Sequence, residues 1–139
     1  MLNPNIWIKN WVSPQVFQSM LLLVGRALMA YLFIIAGWGK IAGYAGTIGY
    51  MESKGLPGGL LWLVILLELG GGLAILVGFQ TRFVALFMIV FNILTAVIFH
   101  GGTGDETSFM KNIAIAGGFI YLMVQGAGAW SIDAWLERK

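Results

Sequence analysis

Four apolar runs organise the chain. Met20–Trp38 is interrupted only by Arg26, and Leu60–Phe79 only by Glu68. Phe83–Phe99 carries no charge but contains Asn92 and Thr95, and Ile113–Ala129 has Gln125 as its one sizeable polar group. A spanning helix needs roughly 17–25 apolar residues, and each run fits. No run alternates apolar and polar positions with period two, which argues against a membrane barrel. The hydrocarbon core offers exposed backbone groups no partner, so the runs are expected to be helices. The pattern therefore predicts an all-α polytopic membrane protein, a four-transmembrane-helix bundle with spans at about residues 20–40, 60–79, 83–100 and 111–129. The first run exceeds the h-region of a cleaved signal, about 7–15 residues, and reads as a retained span.

The connecting segments divide the rest. Residues 1–19 form an N-terminal segment in which Ile6, Trp7, Ile8 and Trp11 suit the membrane interface, where tryptophan is favoured. Ser13-Pro14 reads as an N-cap followed by proline at the first helical position. Residues 43–59, GYAGTIGYMESKGLPGG, read as a glycine-rich loop. Only Gln80, Thr81 and Arg82 separate the second and third runs, which makes them antiparallel neighbours. HGGTGDET, from His100, is a loop ending at Thr107-Ser108 as candidate caps, and residues 130–139 form a polar tail. One side of the bundle carries Lys9, Arg82, Arg138 and Lys139, the other Lys40, Lys54 and Lys111. The positive-inside rule then favours N-in/C-in, with the tail cytoplasmic.

Composition narrows the function classes. The chain has 139 residues, 59% of them hydrophobic and 10% charged, against about 45–50% and about 25% in soluble domains. The net charge of +2 and the lack of a dense basic patch give nucleic-acid binding no support. With no cysteine and one histidine, the sequence has no disulfide, thiolate metal site or thioether-linked haem, and no metal site is expected.

The polar residues inside the spans are the candidates for chemistry. With Lys40, Leu60, His100 and Lys111 at one boundary, Glu68 and Asn92 lie roughly 12 Å below it and Arg26 roughly 21 Å. Arginine reaches several ångströms by snorkelling, so an Arg26–Glu68 pair with Asn92 nearby is the expected arrangement. A charge at a helix centre costs about 2.5–3.5 kcal/mol on insertion scales. Either the two pair, or Glu68 is protonated, or both face a wet cavity. Such a pair can serve only to fix helix register, or it can line a functional pocket. Gly70–Gly72, Ala74, Gly117 and Gly118 read as close-packing surfaces. A second cluster, Lys40, Tyr44, His100, Lys111 and Asn112, gathers at the boundary. Arg26, Phe33 and Lys40 are spaced by seven and share a helix face. Lys40, Lys111 and His100 are either interfacial anchors or a grip on an anionic or carbonyl-bearing head group.

FIIAGWGKIAGYAG after Arg26, then LLELGGGLAILVGFQTR, then FMKNIAIAGGF together resemble the DoxX family of small bacterial inner-membrane proteins. The resemblance covers roughly residues 20 to 135 and all four runs, and leaves out the first nineteen residues. Arg26, Gly37, Lys40, Glu68, Gly78, Lys111 and Asn112 match the family pattern. The resemblance implies a four-helix protein of the bacterial inner membrane, associated with quinone chemistry or oxidative stress. It supplies no catalytic residue. The primary expectation is a quinone, quinol or small aromatic bound within the bundle, with Trp38, Phe99 and Tyr44 flanking the ring. With no cysteine, no second histidine and no nucleotide fold, the chain would need a bound cofactor or a partner to move electrons. The alternatives are a non-enzymatic anchor or partner subunit of a redox complex and, less favoured, a small exporter. The expected partners are the lipid bilayer and a membrane redox protein or further copies of the chain.

Overall fold

A computed structural model describes residues 3–138, and Lys139, counted above among the orienting charges, lies outside them. All regular elements among the described residues are helical. They are α1 (Pro4–Val12), α2 (Gln15–Ala42), α3 (Tyr44–Ser53), α4 (Gly58–Val77), α5 (Thr81–His100), α6 (Glu106–Gln125) and α7 (Ile132–Leu136). Four of these, α2, α4, α5 and α6, are long and apolar enough to cross a membrane. Less than a third of each span's most apolar stretch is buried inside the protein. The remainder presents leucine, isoleucine, valine and phenylalanine outwards, as a surface solvated by lipid requires.

Each span buries one stripe. On α2 the buried positions are Ser19, Arg26, Ala30, Phe33 and Gly37, at the three-, four- and seven-residue spacings of one helix face. On α5 they include Thr81, Ala85, Met88, Asn92 and Ala96. On α6 they are Ala116, Phe119 and Leu122. The core closes where Phe33 meets Phe119, with ring centroids 5.5 Å apart, beside Ile75, Met88 and Ala85. The most extensive pairings are α5 with α6 and α2 with α4.

Glycine sets the α2–α4 approach. A Cβ on Gly37 would fall 2.8 Å from the Leu69 backbone nitrogen, and one on Gly72 would fall 3.0 Å from Ile34 and 3.3 Å from the Ala30 carbonyl oxygen. These contacts fix the register: Gly37 lies beside Leu69, Ala30 and Ile34 beside Gly72, and Arg26 beside Gly78. Gly71 packs on Met88 and Gly118 on Met29, whereas Gly117 would meet nothing within 4 Å and forms no close contact.

Several local expectations change. Residues 43–59 are not one loop: α3 follows α2 directly, and Pro57 precedes a 3-10 turn that opens α4. Ile48 and Met51 supply α3 with inward contacts, and these tertiary contacts override the cost of its glycines. Ser13 does not cap α2. It ends α1, its hydroxyl donates to the Asn10 carbonyl, and Pro14 stands at the cap without a side-chain bond. Asp105, not Thr107 or Ser108, precedes the first turn of α6.

The α4–α5 turn is built on left-handed backbone. Gly78 has φ +69° and Gln80 has φ +48°. The Phe79 amide donates to the Ala74 carbonyl and the Gly78 amide to the Ile75 carbonyl, a Schellman closure of α4. Ser131 caps α7 by accepting from the Ala134 amide, and the Asp133 amide donates to the Gly78 carbonyl. The tail is thereby clamped to the turn between the second and third spans.

Candidate functional site

Glu68 sits on a π-helical turn, Leu66–Gly70, within α4. Such single-turn π segments recur at functional sites because the extra residue re-aims a side chain. Glu68 is only 7% exposed, and its Oε2 lies 2.6 Å from Lys40 Nζ. No further hydrogen bond reaches that oxygen. Lys40 remains partly accessible, with its side chain 27% exposed.

The anticipated Arg26–Glu68 pair does not form. The glycine-set register places Leu69, the neighbour of Glu68, against Gly37, whereas Arg26 lies beside Gly78, just past the end of α4. Gly37 lies eleven positions after Arg26 on α2, roughly 16 Å of helix rise, beyond the reach of snorkelling. Arg26 instead donates through Nη1 to the carbonyls of Ile75 (3.4 Å) and Leu76 (3.3 Å), and through Nη2 to that of Trp130 (2.5 Å). It thus adds a charged donor to the carbonyls at the end of α4, where a cation also complements the helix dipole. Asn92 stays out of any pair as well. Its Nδ2 donates 2.7 Å to the Met88 carbonyl of its own helix.

Around the Lys40–Glu68 pair lies a cavity of about 170 Å³ between α2, α3, α4 and α5. Thr47, Tyr50 and Met51 enter it from α3, Val64 from α4, and Phe91, Thr95, Phe99 and His100 from α5. The Tyr50 and Phe99 rings stack with centroids 5.4 Å apart at 25°, and Lys54 Nζ lies 5.9 Å from the Tyr50 centroid. His100 Nδ1 is hydrogen-bonded to the Asp105 carboxylate. That carboxylate is held below the usual range by the Ser108 hydroxyl, and then by His100. The site therefore offers an ammonium donor, a buried carboxylate, an imidazole and aromatic faces around a space of one ring's size.

Of the boundary cluster expected from sequence, Lys40 and His100 line this cavity. Tyr44, Lys111 and Asn112 do not. Asn112 donates 2.9 Å to the Ser108 carbonyl, one helical turn back. Phe99 lines the cavity, but Trp38 and Tyr44 stand on exposed surface. Tyr50, Thr47 and Met51 reach the cavity from α3, within the stretch expected to be a loop. Their signal is present, since Tyr44, Ile48 and Met51 follow helical spacing.

A larger concavity, about 670 Å³, opens at the opposite end, around the α4–α5 turn and the tail. Its main charged groups already bind backbone. Asp133 accepts from the Gln80 and Thr81 amides at 2.7 and 2.8 Å, and Arg82 donates to the Met123 and Val124 carbonyls at 2.6 and 2.5 Å. This end is a clamp rather than the better candidate for chemistry.

Comparison with known proteins places the architecture. Residues 21–101 match the DoxX family. The chain is 58% identical over 120 residues to inner membrane protein YqjF of Escherichia coli, covering 84% of this chain and 92% of that protein. It is 39% identical over 126 residues to inner membrane protein YphA of Escherichia coli, covering 84% and 90%. A shorter match, 34% identical over 62 residues, covers 45% of this chain and 46% of the Bacillus subtilis protein named "Putative oxidoreductase CatD". No solved structure matches the chain significantly. Four apolar spans, a family match across more than half the chain and close relatives named for the inner membrane lead to one conclusion: the chain belongs to the DoxX family and is a multi-pass protein of the inner membrane.

Proposed function

We propose that this protein binds a single-ring quinone or quinol in the cavity beside Glu68, as a redox-associated membrane module. The observation that carries the reading is the Lys40–Glu68 pair on a π-turn, facing a space of about 170 Å³. An apolar cavity of about 150 Å³ accepts benzene, so the volume suits one six-membered ring. Phe91, Phe99 and Tyr50 supply apolar faces. Lys40 would donate to a ring carbonyl, and Glu68 would accept from a ring hydroxyl. The two groups stabilise each other when the cavity is empty, which lowers the cost of keeping charges within a span. The oxidoreductase name of the Bacillus subtilis relative is consistent with this reading.

The test is equilibrium binding of a short-chain benzoquinone to the purified protein in detergent. Removing one charge-assisted hydrogen bond is expected to weaken binding about tenfold, so Lys40→Met and Glu68→Gln should each bind at least that much more weakly. Gly25→Leu, remote from the cavity, should bind as the unaltered protein does. Undiminished affinity in both site variants would rule the cavity out.

A further inference from the structure

A second opening lies on the other side of the bundle, between α2 and α6. These helices make few backbone approaches, and a groove of about 470 Å³ runs between them. Leu21, Gly25 and Met29 line it from α2, and Gly118 and Tyr121 from α6. It stays open because its walls carry little bulk. A Cβ on Gly25 would meet nothing within 4 Å, and one on Gly118 would meet only the flexible end of Met29. The groove opens between two membrane-spanning helices, so its surroundings there are lipid.

Arg26 lines this groove and is 1% exposed. Its two terminal nitrogens are spent on carbonyls, but its Nε has no partner. The ion pairs among the described residues are Lys40–Glu68 and His100–Asp105, so no carboxylate touches the buried guanidinium, and Asp133 acts on it only through space. An orphan N–H in an apolar layer is costly. That cost falls if an anionic group with a free oxygen enters the groove. Arg26 lies level with the end of α4, at the edge of the apolar layer, where lipid headgroups begin. Gln18 and Gln125 place amides on the groove near that edge.

We propose that the α2–α6 groove is a binding site for an anionic phospholipid. One acyl chain lies along Gly25 and Gly118, and a headgroup oxygen accepts from Arg26 Nε. The site is separate from the cavity beside Glu68 and does not depend on its ligand.

The test uses the full chain purified in detergent, with bound lipid counted by native mass spectrometry and affinity read from thermal shifts. The probes are phosphatidylglycerol, phosphatidylcholine and inorganic phosphate. Phosphatidylglycerol is expected to bind about tenfold more tightly than phosphatidylcholine: both phosphates can accept from Nε, but the choline cation cancels the net negative charge that favours a site beside Arg26. Inorganic phosphate should give no shift. Gly25→Leu, whose Cβ would meet nothing within 4 Å, places side-chain bulk in the groove and should abolish retained lipid. Gln18→Glu, on exposed surface, should remove the preference for phosphatidylglycerol without blocking the groove. Equal binding of the two lipids overturns the proposal, as does a phosphate shift that matches the lipid's. So does undiminished phosphatidylglycerol binding in both variants. A lipid-independent dimer that Gly25→Leu dissociates would show a second copy of the chain in the groove and would overturn it too.

Discussion

Replacing Gly37 with alanine tests the geometry that holds the candidate site together. The new Cβ would stand 2.8 Å from Leu69 N, 2.9 Å from Leu69 Cβ and 3.1 Å from Leu69 Cα, where ordinary contact begins at 3.4 Å. Two of these neighbours are backbone atoms, so no rotamer change relieves the clash. The helices must part by about 0.6 Å at this point. Overpacking of this kind costs about 1–3 kcal/mol, while alanine recovers about 0.5–1 kcal/mol of helix propensity. The expected net loss is about 0–2.5 kcal/mol, centred near 1 kcal/mol. Gly25→Ala is the matched control. It lies on the same helix with nothing within 4 Å of its new Cβ, so it keeps the propensity gain without the clash and should be neutral or slightly stabilising. Unfolding in mixed detergent and sodium dodecyl sulfate, followed by tryptophan fluorescence, reads both. Gly37→Ala should also weaken the Lys40–Glu68 pair, since Lys40 lies three residues farther along α2. If the two alanine variants are equally stable, the α2–α4 register described above is wrong.

Other consequences can be measured separately. In a double-mutant cycle, Lys40→Met and Glu68→Gln should couple by about 1–3 kcal/mol, below the usual worth of a fully buried pair because Lys40 is partly solvated. Additive losses in the same unfolding assay would mean that no pair exists in solution. Asp105 is held below the usual carboxylate range by Ser108 and then His100. Its stabilising contribution is therefore full above the unfolded-state carboxylate pKa and is lost as pH falls through the lower folded value. Carboxyl-carbon NMR should show Asp105 titrating low, and Ser108→Ala should move it back up. An unchanged titration in that variant would contradict the assignment. For orientation we propose N-in/C-in, from the basic residues near the α4–α5 turn and the tail. Because the chain has no cysteine, Thr103→Cys should react with an impermeant maleimide added outside, while Gln80→Cys should not, and the reverse pattern would invert the topology.

Much of this protein is written one-dimensionally. Where the chain crosses the bilayer follows from apolar run length alone, because a hydrocarbon layer of fixed thickness demands it and only helices satisfy their own backbone there. The seven-residue spacing of Arg26, Phe33 and Lys40 likewise marks the inward face of α2, as helix geometry dictates. What depth arithmetic could not supply was the partner of each charge. Glu68 meets Lys40 rather than Arg26 because Gly37 and Gly72 let α2 and α4 close at one particular register, a matter of contact between two surfaces that neither run specifies alone. The cavity needed α3, whose helical spacing was masked by Gly43, Gly46 and Gly49 and whose helix packs against its neighbours. The fate of Arg26 turned on carbonyls from α4 and the tail, residues distant in sequence that only the folded chain brings together. Span positions are thus a property of each segment and its solvent, whereas ion pairing and cavities are properties of how the segments meet.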